Sequence, residues 1–249
     1  MTPTSCTWPI SPATLSLSSD EIHVWRARLD VNVICFRHLR NTLTEDELSR
    51  AERFYVREVR EHYIVARGIL RTILGRYLHT APQQLCFSYN VYGKPALIAT
   101  GDDETLRFSV SHSHGLALYA VTRDRAVGID LEYIRAEVEP EAIASRFFTR
   151  RENEALRAYP AGLRRSAFFS GWTRKEAYLK ARGDGLSLRL DHIEVSLAPN
   201  EPARLLNVTG DRSETSRWSL QALSPWPGYA AALAVEGHIG QLTCWEWQA

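Results

Sequence analysis

Arg107-Phe108-Ser109-Val110-Ser111-His112-Ser113-His114-Gly115, continuing through Leu116 to Val121, decides the fold when set beside Arg217-Trp218-Ser219-Leu220 and its continuation to Val235. Each stretch opens with arginine, an aromatic residue, serine and an aliphatic residue. Each turns through a loop closing on glycine (Gly115 or Gly228) and returns along small and aliphatic residues. Such patterns mark paired strands, because successive strand side chains point to opposite faces.

Working outward, similar elements precede both hairpins. Thr44 with Glu47, and Thr149 with Glu152, are capping boxes. The first predicts a helix through Leu48, Ala51 and Tyr55. A longer helix is expected from Tyr63, Ala66, Leu70, Ile73 and Tyr77, which lie at helical spacing. The second long helix should cover about Leu163 to Arg182 and stop at Gly183-Asp184-Gly185. Short strands are predicted near Leu85–Phe87 and over Ile193–Leu197, with a turn at Tyr92-Gly93-Lys94-Pro95. Ile22, Val24, Val31 and Val33 predict one or two strands between Ile22 and Cys35. The expected fold is therefore α+β, a pseudo-twofold pair of similar halves: a tail over 1–20, a first half over 21–125 and a second over 126–249.

Bulk properties narrow the function. A chain of 249 residues can bury roughly 70–75% of its unfolded surface. Its net charge of +1 gives no reason to expect nucleic acid or a membrane surface as partner. Four cysteines without a CxxC pair argue against a zinc ribbon, and the first twenty residues hold no Lys or Arg. A soluble cytoplasmic protein is expected. Of 30 basic residues only Lys94, Lys175 and Lys180 are lysines. Lysine, unlike arginine, shifts its pKa readily and can give up a proton.

Four clusters carry possible chemistry. Gly128-Ile129-Asp130-Leu131-Glu132 puts two carboxylates on one strand face, about 6.5–7 Å apart. A hard cation such as Mg²⁺ suits them; the plain alternative is a strand end whose acids face water. In the second long helix, Phe169, Trp172, Glu176 and Lys180 share one stripe, where Glu176 and Lys180 could equally be a simple helix ion pair. Alternation puts Ser109, Ser111 and Ser113 on one face and His112 and His114 on the other. Arg60, Arg67 and Arg71 recur on one face of the first long helix and could grip a phosphate or merely face water. Ten basic and three acidic residues between Arg146 and Arg182 suggest a basic face for an acidic partner.

Gly128-Ile129-Asp130-Leu131-Glu132, then Trp172-Thr173-Arg174-Lys175-Glu176-Ala177-Tyr178-Leu179-Lys180 and Gly183-Asp184-Gly185-Leu186, resemble the 4′-phosphopantetheinyl transferases of the surfactin-synthetase-activating (Sfp) type. Tyr92-Gly93-Lys94-Pro95 and Phe108–Ser113 resemble further landmarks in the same order, so the likeness spans about Arg50 to Leu197. Two departures are Ser109, where asparagine is frequent, and His114, expected to lengthen the hairpin loop.

The resemblance implies transfer of phosphopantetheine from coenzyme A to a serine of an apo acyl or peptidyl carrier protein, with release of 3′,5′-ADP. It also implies that Asp130, Glu132 and Glu176 hold Mg²⁺, with Glu176 as general base and Lys180 meeting the pyrophosphate. Ser111, His112, Gly93, Lys94, Lys175 and Arg67, with Arg57 or Arg60, are implied in coenzyme binding. A monomer with an acidic carrier docked on the basic face is expected. Competing readings are a metal-dependent nuclease or phosphodiesterase, and a non-catalytic protein that binds coenzyme A or a carrier.

Overall fold

The computed structural model describes residues 7–98, 105–183, 185, 188–199 and 201–248. The first six residues of the tail, and Asp184 and Leu186 of the glycine-rich exit, lie outside them. The first half comprises β1 (Glu21–Arg28), α1 (Val33–Arg40), α2 (Glu45–Ala51), α3 (Arg57–Leu78), β2 (Phe87–Tyr89), β3 (Pro95–Leu97), β4 (Leu106–Ser113) and β5 (Leu116–Arg123). It is followed by β6 (Val127–Tyr133), α4 (Pro140–Phe147), α5 (Arg150–Ala158), α6 (Ala161–Arg182), β7 (Ile193–Val195) and β8 (Leu205–Val208). The chain ends with α7 (Glu214–Arg217), β9 (Trp218–Leu223), β10 (Tyr229–Glu236) and β11 (Gln241–Glu246).

The halves repeat one topology. The first sheet runs β11-β1-β5-β4 and the second β6-β10-β9. In each, the opening strand lies antiparallel to the second strand of the closing hairpin, β1 on β5 and β6 on β10. Helices α3 and α6 both have 22 residues and end on a left-handed residue, His79 and Gly183.

The capping boxes tie these helices down in the same way. Glu47 Oε2 accepts from the Thr44 N–H (3.0 Å) and from Arg71 (2.7 Å), while Oε1 accepts from Arg67. Glu152 Oε2 accepts from the Thr149 N–H (2.7 Å) and from Lys175 (2.5 Å). Arg71 and Lys175 hold equivalent places, each fourteen residues past the first residue of its helix (57 to 71, 161 to 175).

The core is layered. Helix α3 covers one face of the first sheet over Trp25, Tyr119 and Val121, and α6 covers the second over Ala232 and Ala234. Between the sheets, Ile22, Val24, Leu118 and Ala120 meet Ile129, Leu131, Leu233 and Val235. Strands buried on both faces read as apolar runs rather than alternations, which is why Leu116–Val121 and Ala230–Val235 hold no polar side-chain group but the Tyr119 hydroxyl. Among the described residues no helix is long and apolar enough to cross a membrane.

Two local expectations are corrected, and one strand is added. Val31 and Val33 are not strand residues: Asn32 caps α1, its Oδ1 accepting from the N–H groups of Ile34 (3.0 Å) and Cys35 (2.9 Å). An N-cap side chain satisfies amides that the helix itself leaves open, and two valines are too short a pattern to compete. The helix from Thr44 ends at Ala51, leaving Tyr55 exposed in the connector to α3. The added strand lies at the end of the chain, beyond the second hairpin. Strand β11 pairs in parallel with β1, from Glu21↔Gln241 to Arg26↔Glu246. A segment sequentially in 126–249 thus completes the sheet of the first half.

Candidate active site

Strands β4 and β6 face each other across the seam between the sheets. Alternation puts the hydroxyls of Ser109, Ser111 and Ser113 on β6. They accept from the N–H groups of Ile129 (3.1 Å), Leu131 (3.2 Å) and Tyr133 (3.1 Å). The hairpin turn beyond them is His114-Gly115, with φ of 44° and 74°. Two positive-φ residues give the tight connection that matches strand twist, so His114 does not lengthen the loop. Its ring stacks on Tyr133, 4.7 Å between centroids.

Gly128 brings α6 against β6: a Cβ there would overlap the Ala177 carbonyl and the Ala181 amide. That approach carries Glu176 and Lys180 to the carboxylates. Lys180 Nζ donates to Asp130 Oδ1 (2.6 Å) and to Ser111 Oγ (2.9 Å). Ser111 Oγ in turn donates to Asp130 Oδ1 (3.0 Å), and Ser113 Oγ to Glu132 Oε2 (3.4 Å). Among the described residues Asp130 Oδ2 is buried without a hydrogen-bond partner.

The crowding of acids shows in their titration. Burial, then the charge of Asp130, raises Glu132 above the ordinary carboxylate range. Glu176 is pushed up to about 6, first by burial and then by Asp130, with Glu132 adding to the effect and Lys180 opposing it. His112 reaches the surface; its imidazole is lowered first by desolvation, then by Lys180 and His62.

Of these groups Glu176 and Lys180 line a cleft of about 440 Å³, together with Phe108, Ser109, Val110 and Leu179 and with Gly93, Lys94 and Pro95 between β2 and β3. The loop is pinned to the end of α6. Asn90 donates to the Gly183 carbonyl (2.7 Å), and Lys94 Nζ donates to those of Ala181 (3.1 Å) and Val127 (3.3 Å).

Asp130, Glu132, Glu176, Lys180 and Ser111 therefore converge, with Gly93 and Lys94 across the cleft. Lys175, Arg67, Arg57 and Arg60 do not. Lys175 is fully buried on the far side of α6, bonded to Glu152 and to the carbonyls of Leu190 (2.9 Å) and Ile193 (2.7 Å); its place opposite Arg71 makes it a tie within the second half. Arg67 is likewise buried, held by Glu47 and the Tyr89 hydroxyl (2.9 Å). Arg57 is exposed and paired with Glu61, and neither it nor Arg60 lines the cleft.

The basic residues between 146 and 182 do not form one face. Arg174 and Lys175 are buried, Lys180 is in the cleft, and Arg164 is engaged by Glu141 and by the carbonyls of Tyr159 and Arg157. Sequence reading missed the link from Ser113 to Glu132, which the strand alternation could have flagged.

Asp130 and Glu132 suit a hard divalent cation. A buried carboxylate oxygen without a partner among the described residues, beside two acids whose ionised forms are disfavoured, is a donor set that lacks positive charge. Among the described residues no group of three His, Cys, Asp or Glu side chains is placed to hold a metal ion. Mg²⁺ needs none, since it takes one or two carboxylates and completes its shell with water and substrate phosphate.

Comparisons with known proteins cover both halves. Residues 32–123 match the family described as "4′-phosphopantetheinyl transferase, N-terminal", and residues 126–234 match the "4′-phosphopantetheinyl transferase superfamily". A 4′-phosphopantetheinyl transferase of Nostoc sp., HetI, is 45% identical over 241 residues, spanning 97% of this chain and 98% of its own. Sfp of Bacillus subtilis is 28% identical over 155 residues, 62% of this chain and 66% of its own. The holo-[acyl-carrier-protein] synthase of Thermotoga maritima overlaps 45% of this chain and 62% of its own at 25% identity and a TM-score of 0.36. With both halves matched in order and an end-to-end relative at that identity, the chain belongs to the 4′-phosphopantetheinyl transferase superfamily.

Proposed function

We propose that this phosphopantetheinyl transferase takes its group from coenzyme A, with Mg²⁺, and places it on a serine hydroxyl of an apo acyl or peptidyl carrier protein, releasing 3′,5′-ADP. The observation that carries the reading is the buried Asp130 Oδ2, without a partner among the described residues, beside Glu132 and the cleft-lining Glu176 and Lys180. Asp130 and Glu132, with Glu176, are the residues that would hold the metal. A bound Mg²⁺ supplies charge neutralisation at the pyrophosphate and Lewis acidity at the attacked phosphorus, worth several kcal/mol.

The chain's own residues supply the rest. Glu176, which lines the cleft beside Lys180, is placed to accept the serine proton, directly or through water. Lys180 is positioned by Asp130 and Ser111 to stabilise the charge that develops on the departing 3′,5′-ADP oxygen. As a lysine it can also deliver a proton, which arginine cannot. The apolar wall of Phe108, Val110 and Leu179 keeps water from competing with the serine.

Arg146 and Arg157 remain exposed after the internal ties are made and are the proposed contacts for an acidic carrier. Action as a monomer in the cytoplasm belongs to the same proposal; the core shared between the sheets, which each half buries against the other, supports the monomer.

The test is incubation with coenzyme A, Mg²⁺ and a panel of apo carrier proteins, read by mass spectrometry. A carrier that gains one phosphopantetheine group supports the reading, and no gain on any carrier refutes it. Glu176→Gln is expected to keep coenzyme A binding while turnover falls about 10²- to 10⁴-fold. Unchanged turnover would remove Glu176 as the base.

A further inference from the structure

The hydroxyls along β4 do two jobs at once. Strands β4 and β6 are not hydrogen-bonded neighbours in either sheet, yet three consecutive outward amides of β6 find acceptors in Ser109, Ser111 and Ser113. Side-chain oxygens thus stand where a neighbouring strand's carbonyls would, and satisfy these three amides. Each hydroxyl accepts from backbone and still has a proton to donate. The ladder divides there. Ser111 directs its proton to Asp130 Oδ1 (3.0 Å) and also accepts from Lys180 (2.9 Å), which fills its bonding capacity. Ser113 directs its proton to Glu132 Oε2 (3.4 Å). Ser109 shares the ladder but bonds neither carboxylate.

We propose that Ser111 and Ser113 are positioning residues that aim the Asp130 and Glu132 carboxylates at the divalent cation, and that Ser109 serves the seam alone. The inference rests on the metal reading given above. Its physical basis is that a hydrogen bond to one oxygen of a carboxylate fixes the rotamer of the other. Here the oxygen fixed by Ser111 is Asp130 Oδ1, and the oxygen left over is Oδ2, which has no partner among the described residues. Groups that orient metal ligands in this way are commonly worth 10- to 100-fold in metal affinity.

The experiment compares Ser109→Ala, Ser111→Ala, Ser113→Ala and Ser111→Thr. Mn²⁺ is titrated by electron paramagnetic resonance with coenzyme A saturating and carrier absent, so that no turnover occurs. Each alanine variant is expected to lower the thermal unfolding midpoint, because each leaves a β6 amide without its acceptor. The Mn²⁺ Kd should rise about tenfold in Ser111→Ala and Ser113→Ala but stay within about twofold in Ser109→Ala. Ser111→Thr, which keeps the hydroxyl, should return towards wild type. Equal Kd in all variants overturns the assignment. So does an equal rise in all three alanine variants, which would make the ladder a structural seam only. A wild-type protein that binds no Mn²⁺ overturns the metal reading itself, and the inference with it.

Discussion

At the scale of single residues, two lysines on one helix have opposite fates. Lys175 and Lys180 stand five positions apart on α6, so they leave the helix on different sides. Lys180 reaches the cleft and meets Asp130 at 2.6 Å, whereas Lys175 turns inward to Glu152 at 2.5 Å. Burial disfavours both charges of that inner pair, lowering Lys175 and raising Glu152, and their close contact opposes the effect. Removing one partner leaves the other charge buried and uncompensated. Lys175→Met is therefore expected to lose about 3–5 kcal/mol of stability, measured by urea unfolding, while the folded enzyme keeps its KM for coenzyme A. A raised KM at unchanged stability would return Lys175 to the coenzyme site. The sequence placed both lysines in one motif. It could not separate them, because the difference is which side of α6 faces β6, and Gly128 on another strand decides that.

Between elements, that glycine is the decisive contact. The Asp-x-Glu pair was legible from strand alternation and the Glu176–Lys180 pair from helical spacing. Their meeting depends on how closely α6 lies on β6, which no local pattern encodes. Only a residue without Cβ fits where the Ala177 carbonyl and the Ala181 amide cross β6. Gly128→Ala is expected to force the helix outward at a cost of about 1–3 kcal/mol and to carry Glu176 away from Asp130. The measurement is kcat against thermal midpoint: kcat should fall by a larger factor than the lost stability explains, because the folded enzyme itself has displaced groups. A kcat that merely tracks the folded fraction would show that the close approach matters for packing alone. Elsewhere element reading failed for lack of length. Val31 and Val33 gave two alternating positions and lost to the Asn32 cap. β11, although it includes Cys244 and Trp245, was passed over because its partner β1 lies at the other end of the chain.

For the whole molecule, the repeat seen in the two hairpins extends to devices no hairpin comparison reveals. Both halves anchor their long helix through the glutamate of a capping box, but with different basic partners: two arginines on Glu47, one lysine on Glu152. The arginines of the first half looked like a phosphate grip because helical spacing alone does not tell an inward row from an outward one. Their internal role has a consequence for acid stability. Burial alone would raise the Glu47 carboxyl, but the hydrogen bonds and charges of Arg71 and Arg67 outweigh it and hold Glu47 below the ordinary carboxylate range. A group whose folded pKa is depressed contributes stability above its unfolded pKa and loses it as pH falls through the folded value, since the unfolded chain then binds more protons. The wild-type protein should accordingly lose stability as the pH drops below about 4.3, the unperturbed glutamate value. Glu47→Gln leaves two buried guanidiniums without their counter-ion. It should cost about 3–5 kcal/mol at neutral pH and flatten the acid limb of a plot of unfolding free energy against pH. An acid limb of unchanged slope in the variant would show that Glu47 carries no linkage. The tie between α2 and α3 would then have to be attributed to packing around Leu48 and Ile64 rather than to the charge it shares with Arg67 and Arg71.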